Sequence, residues 1–238
     1  MIPASPEPEW APWCDLPVHL RRLSVAEVRT RCARLDGART ATRRYGFGSV
    51  DVKPSAAMIP VLDVDGEAGL LVTKRPPTME YHRNDWVFPG GRVDAGADLS
   101  PAATAVRELH EELGVDPQWV DTVGHLATYG PFVTGFLLHV FVGLVSPSAI
   151  VAPDPSEVAE VALLKLSDLT EPGTYFTGLL PAAHDPGPPS RSLDNDRART
   201  RDLKFFRVGD EDQMWGTQGE ILWDLLSLLF NQGEDGSP

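Results

Sequence analysis

Apolar and polar positions fall into two kinds of block along the chain, some alternating as in strands and some spaced as in helices. Between Ser55 and Thr73 two apolar stretches flank Asp63-Val64-Asp65-Gly66, a turn composition that predicts a hairpin. Trp86-Val87-Phe88 is a short apolar run cut by Pro89-Gly90-Gly91, which predicts a strand running into a loop. Ser100-Pro101 ahead of the Ala-rich run Ala102 to Ala105 supplies an N-cap and a proline at the first helical position, and Gly114 ends that helix. His125 to Tyr129 and Phe136 to Val145 are predicted strands, Pro153 to Pro155 a turn, and Ser167-Asp168-Leu169 a short helix or turn. Val25 to Leu35, with arginines along one side, predicts an amphipathic helix, and Glu220 to Phe230 a helix with a broad apolar face.

Strands interleaved with helices in this way predict an α/β fold in which a mixed sheet is layered between helices. Residues 1–16 are expected to form a flexible tail, 17–46 a helical segment packed on the main domain, 47–232 that domain, and 233–238 a short tail. His184 to Asp202 is rich in Pro, Asp, Arg and Ser and short of apolar residues, so a long mobile loop is expected there.

The length of 238 residues is enough to bury one good core. A net charge of −13 argues against nucleic acid as a partner, because backbone binding needs a dense basic surface, but leaves room for a nucleotide. The chain has no run of eighteen or more apolar residues, and Met1 to Trp13 is rich in Pro and Glu, so neither a membrane span nor a signal peptide is expected and a cytoplasmic protein is. Cys14 and Cys32 are too few for a disulfide framework and lack zinc spacing.

The candidate chemistry sits in Arg107-Glu108-Leu109-His110-Glu111-Glu112-Leu113-Gly114. On a helix Glu108 lies one turn from Glu111 and Glu112, so the three carboxylates are expected on one face. Carboxylate oxygens are the hard ligands that Mg²⁺ and Mn²⁺ prefer, and few protein ligands leave positions for substrate phosphate. A solvated acidic helix edge has the same composition. The order strand, glycine loop, acidic helix favours the metal site.

These residues resemble the signature of the Nudix hydrolase family: Gly91, Arg107, Glu108, Leu109, Glu111, Glu112, Gly114 and Val115 occupy its places. The family's first glutamate has no clear counterpart, and the box is two residues longer, with Asp94 and Asp98 in that region. The extension resembles the coenzyme A pyrophosphatase branch, as do Leu71 to Pro76, Met79, His82, Phe88 to Gly91, Asp154 to Val161 and Met214 to Thr217. Where the branch usually has arginine before the histidine and Gly-Gln-Val after it, this chain has Glu80 and Asn84-Asp85-Trp86.

The resemblance implies a Nudix-type α/β/α sandwich and a Mg²⁺- or Mn²⁺-dependent hydrolase that cuts a nucleoside diphosphate joined to another group. Coenzyme A or acyl-CoA is the preferred substrate, ADP-ribose and NADH the alternatives, and a non-catalytic nucleotide sensor the reading from another class. It implies Glu108, Glu111, Glu112 and the Gly91 carbonyl as metal ligands, with Arg107 orienting Glu111. The general base stays open between a box glutamate and Glu157. Lys74, Arg75, His82, Gly90 and Gly91 are the candidate substrate contacts, with surface ion pairs as the alternative for Lys74 and Arg75 and a structural role for His82. Trp86 is expected either to stack on adenine or to sit in the core. Homodimers are frequent among such relatives.

Overall fold

A computed structural model of the chain describes residues 10–35, 42–43, 52–79, 82–130, 135–178 and 203–230. The N-terminal part holds α1 (Val18–Arg21), α2 (Val25–Cys32) and a 3-10 turn (Ala33–Leu35). Ser24 caps α2 through a reciprocal pair of bonds with Glu27, the capping box that satisfies two otherwise orphaned backbone donors. Then come β1 (Thr42–Arg43), β2 (Lys53–Val64), β3 (Glu67–Lys74), β4 (Trp86–Val87), β5 (Gly90–Arg92) and α3 (Pro101–Leu113). A 3-10 turn (Pro117–Trp119) leads to β6 (Val120–Tyr129), β7 (Phe136–Val145), β8 (Glu160–Lys165) and α4 (Leu166–Leu169). The chain continues through β9 (Tyr175–Gly178), β10 (Leu203–Val208), β11 (Asp212–Trp215) and α5 (Thr217–Phe230).

β1 to β8 form one sheet with the order β1-β6-β7-β2-β3-β4, in which β5 also pairs with β2 and β8 with β3. β2 with β7 and β1 with β6 are parallel and the other pairs antiparallel, so the sheet is mixed as expected. β2 and β3 pair only near their hairpin turn, Val61–Val64 against Glu67–Leu70. Beyond that, β2 takes β5 at Ser55–Ala57 and β3 takes β4 at Thr73–Lys74. The short β4–β5 segment therefore enters the sheet where the two long strands part company, and it carries the glycine loop with it.

Both faces of the sheet are covered, which is why β2 and β3 read as nearly continuous apolar runs. Ala56, Met58, Leu71, Phe141 and Val145 pack under Ala105, Leu109 and Leu113 of α3. On the other face Ile59, Val61, Leu70, Val72, Val140 and Val142 meet Val28 and Cys32 of α2 and Leu222, Leu225, Leu226 and Leu229 of α5. A second antiparallel sheet, β11-β10-β9, joins that side through Tyr175, Phe206 and Met214. Among the described residues no helix is long and apolar enough to cross a membrane.

Two expectations change. Residues 10–16 are not a loose tail: Ala11 and Trp13 are fully buried, and the Trp13 indole meets Tyr175, Phe206 and Trp223 at centroid separations of 5.0–6.3 Å. The flanking Pro and Glu hid one large apolar anchor whose burial repays the ordering of the segment. The second sheet was not foreseen, because its strands of four to six residues carry apolar side chains on both faces and show no clean alternation. The expected mobile loop at 184–202 and the tails at 1–9 and 233–238 lie outside the described residues.

Replacing Trp13 by alanine is expected to lower unfolding stability by about 3–5 kcal/mol. Trp10→Ala, at a site 65% exposed, is expected to change it by less than about 1 kcal/mol. Equal small effects in urea titrations would return residues 10–16 to the tail.

Candidate active site

The acidic helix α3 forms as its sequence dictates. The Ser100 hydroxyl accepts from the Ala103 amide at 3.2 Å, Pro101 opens the helix, and Gly114 closes it in the left-handed region with φ +66°. Leu109 and Leu113 bury one stripe of the helix, and this turns Glu108 and Glu112 toward the glycine loop.

Glu112 is 4% exposed, and its Oε1 accepts the Gly90 amide at 3.1 Å. Burial pushes its carboxyl up to about 7; the Gly90 bond and the charge of Arg75 oppose that rise, while the charges of Glu108 and Glu157 add to it. Glu108 is also raised, chiefly by burial and against the pull of Arg107, with Glu111 and Glu157 contributing. Its carboxylate lies so close to Gly91 that a Cβ there would sit 2.3 Å from Oε1. A Cβ on Gly90 would meet the Ala56 carbonyl at 2.5 Å. Both glycines are thus required by close approach, one to a carboxylate and one to a strand.

Arg107 ties the box together. Its Nε and Nη2 meet the two oxygens of Asp98 at 3.0 and 3.1 Å, Nη2 also reaches Glu108 Oε1 at 2.9 Å and the Arg92 carbonyl at 3.1 Å, and Nη1 meets Glu111 Oε2 at 2.5 Å. The Thr104 hydroxyl and the Asp94 amide donate to Asp98 as well, at 2.8 and 2.9 Å. These donors, Arg107 first, hold the Asp98 carboxyl far below the usual carboxylate range. Asp98 thereby anchors the helix from within the lengthened loop.

Glu157 belongs to a loop that main-chain bonds pin to its neighbours. The Ala152 and Asp154 amides donate to the Leu113 and Glu112 carbonyls at 2.8 and 2.9 Å, and the Ala159 amide to the Lys74 carbonyl at 2.8 Å. Arg75 approaches Glu112 from β3, and its Nε is buried with no hydrogen-bond partner among the described residues.

Not every candidate converges. Glu111 is half exposed and committed to Arg107, so the three helix carboxylates do not meet at one point; among the described residues no three His, Cys, Asp or Glu side chains are grouped to hold a metal ion. The donor set nevertheless fits a hard divalent cation: the buried carboxylate of Glu112 and the half-buried one of Glu108, both penalised in their charged forms, a third carboxylate at Glu157 and the loop carbonyls.

Lys74 is not free to grip phosphate. Its Nζ meets Asp212 at 2.8 Å and Glu160 at 3.0 Å and lies over the Trp86 ring, while the Trp86 indole donates to Asp212 at 3.0 Å. The ion-pair reading of Lys74 and the core reading of Trp86 therefore describe the structure. Asp212 was missed, since 138 residues separate it from Lys74 and no local signal marks it. His82 is exposed in a turn with φ +57°, its Nδ1 3.0 Å from Asp85.

A family model described as NUDIX domain matches residues 52–182. An uncharacterized Nudix hydrolase NudL from Citrobacter koseri is 35% identical over 182 residues, 76% of this chain and 80% of its own. Another NudL, from Cronobacter sakazakii, is 36% identical over 127 residues, 53% of this chain, and the match spans only 65% of that relative's length. The peroxisomal coenzyme A diphosphatase NUDT7 of Mus musculus is 28% identical over 163 residues, 68% of this chain and 66% of its own. The solved MutT/nudix family protein from Enterococcus faecalis aligns over 85% of this chain and 68% of its own with a TM-score of 0.48 and 14% identity. With more than half of its residues matched by the domain model and a NudL relative aligned over most of both chains, the protein belongs to the Nudix hydrolase family.

Proposed function

We propose that this protein is a metal-dependent pyrophosphohydrolase that cleaves the diphosphate of a nucleotide joined to another group. Coenzyme A or acyl-CoA is the preferred substrate, giving adenosine 3′,5′-bisphosphate and 4′-phosphopantetheine. The observation that carries the reading is the pair of carboxylates, buried Glu112 and half-buried Glu108, set against a glycine loop beside Arg75, whose buried Nε has no partner among the described residues. Neighbouring carboxylates drawn partly out of water remain costly to charge, and a divalent ion would relieve that cost. The coenzyme A preference draws on the likeness to the mouse relative, a coenzyme A diphosphatase.

Glu108, Glu112, Glu111 and the Gly91 carbonyl would hold Mg²⁺ or Mn²⁺. An ion held by these groups would supply charge neutralisation for the diphosphate and make water easier to deprotonate. The chain's own groups supply the positioning. The Gly90 amide fixes the Glu112 carboxylate, and the Asp98–Arg107 pair holds the helix to the loop. Arg75 offers its paired donors to a diphosphate oxygen, work that arginine's planar fork suits. Glu111, released from Arg107 at the cost of one exposed ion pair, completes the acidic set. A proton from water has two acceptors in reach of this arrangement, a box glutamate or Glu157.

Incubation with Mg²⁺ or Mn²⁺ and a panel of coenzyme A, ADP-ribose, NADH and a nucleoside triphosphate, read by mass spectrometry, is expected to yield the two coenzyme A fragments. AMP from ADP-ribose or NADH alone would move the substrate to those nucleotides, and no cleavage of any would sink the enzyme. Glu112→Gln is expected to lower kcat by more than about a hundredfold, since an amide is a poor hard-cation ligand.

Arg75→Ala is expected to raise KM about tenfold with little change in kcat, whereas Lys74→Ala should lower stability and leave KM in place. The reverse pattern would restore Lys74 as the phosphate contact.

The raised carboxyl of Glu112 also makes stability depend on pH. Its folded pKa, about 7, exceeds its ordinary 4.5, so the folded state holds the proton more tightly. The resulting stabilisation is complete below pH 4.5 and is lost as pH rises through 7. Metal-free protein is therefore expected to lose stability, on the order of a few kcal/mol, across that window. Glu112→Gln should flatten the profile; an unchanged slope in thermal melts would reject the buried acid.

A further inference from the structure

The strand that leads into the glycine loop stands at the end of the sheet order and is short. β4 pairs with β3 only at Val87 with Thr73 and Trp86 with Lys74, and that ladder stops before Phe88. Two paired positions are a weak hold on Pro89-Gly90-Gly91, whose main chain must bring the Gly90 amide to Glu112. Further support comes from the C-terminal elements. The Phe88 amide donates to Oε1 of Gln218, in the first turn of α5, at 3.2 Å, and the Trp86 indole donates to Asp212 of β11 at 3.0 Å. These contacts span 130 and 126 positions of the chain, and both acceptors lie beyond residue 182, where the matched domain ends.

Phe88 is buried, so its amide needs an acceptor from the protein, and Gln218 supplies one that the ladder does not. The grip is close to the site. Only Pro89 separates Phe88 from Gly90, and its ring fixes one of the backbone angles between them, so a shift at Phe88 passes to Gly90 with little to absorb it. On the other side the Met58 amide of β2 donates to the Pro89 carbonyl at 2.9 Å. The loop is thus held between β2 and α5. The helix itself cannot retreat or advance freely, because Gly219 sets its first turn against the Lys204 carbonyl, which any side chain at that position would strike.

We infer that Gln218, with Asp212 behind it, is a positioning residue for the glycine loop: from α5 it fixes the strand whose Gly90 amide holds Glu112, and so sets the affinity of the Glu108 and Glu112 carboxylates for a divalent cation. The inference rests on the metal-site reading proposed above and extends it to residues far from the acidic helix. What acts is the carboxamide oxygen of Gln218. A carboxylate of the same reach also accepts from an amide, whereas alanine leaves the buried Phe88 donor without its acceptor.

The test compares the full chain with Gln218→Ala, Gln218→Glu and Lys204→Ala by amide hydrogen exchange, read by NMR, and by calorimetric titration with Mn²⁺. Lys204→Ala is the control for general loosening of α5, since it removes the 2.8 Å ion pair between Lys204 and Glu220 that ties the helix to β10. Phe88 exchanges faster once its acceptor is gone, so the informative amide is Gly90, two residues on. Gln218→Ala is expected to speed Gly90 exchange and to weaken Mn²⁺ binding, each about fivefold or more, while Gln218→Glu restores both and Lys204→Ala leaves both within about twofold. Gly90 exchange or Mn²⁺ affinity unmoved by Gln218→Ala, no restoration by glutamate, or an equal effect from Lys204→Ala would overturn the positioning role. If the intact chain binds no Mn²⁺, the metal-site reading falls instead, and Gly90 exchange alone then decides whether Gln218 holds the loop.

Discussion

The packing of two carboxylates, buried Glu112 and half-buried Glu108, against a glycine loop is the constraint from which the rest of this structure follows. Glu108 and Glu112 sit where water cannot fully solvate them, and each needs a compensating neighbour. The Gly90 amide serves Glu112 and the Arg107 guanidinium serves Glu108. Those two contacts in turn dictate glycine at 90 and 91, since any side chain there would strike β2 or the Glu108 carboxylate. They also require a rigid anchor for Arg107, which Asp98 provides through paired bonds. A polar site of this kind is expensive to assemble and is held by the apolar stripe of Leu109 and Leu113 on the opposite side of the helix.

The sheet prepares the place for that site. Because β2 and β3 pair for only four residues each, the next stretch of each strand is open to β5 and β4. The glycine loop is thus held between strands that belong to different parts of the core, and the loop carrying Glu157 is pinned to the end of the same helix. Lys74, Trp86 and Asp212 close the neighbouring seam between the main sheet and the small one. Charge is distributed in the same spirit: Lys74 at the seam is paired, while the buried Arg75 Nε has no partner among the described residues.

Much of this was legible in the chain itself, for local reasons. Ser100, Pro101 and Gly114 delimit α3 because capping and left-handed closure depend on a few adjacent residues. Asp65-Gly66 makes the β2–β3 hairpin, and the apolar runs of β2, β3 and β7 announce a sheet covered on both sides. The spacing of Arg107, Glu108, Glu111 and Glu112 announces an acidic helix edge beside a glycine loop. Less local features were hidden. Trp13 looked like part of a polar tail, the strands of the small sheet have no clean period, and Lys74 looked as available for phosphate as Arg75.

What the sequence determined by itself was therefore the set of elements, their caps and turns, and the identity of the acidic helix, because each is governed by interactions within a turn or two of backbone. The tertiary structure alone decided which charges are spent and which are free. Asp212 reaches Lys74 across 138 positions, Asp98 takes Arg107, and Glu111 follows Arg107 rather than joining Glu108 and Glu112. A side chain's charge is the same wherever it stands in the chain, but its partner is chosen by packing, and packing is a property of the whole fold.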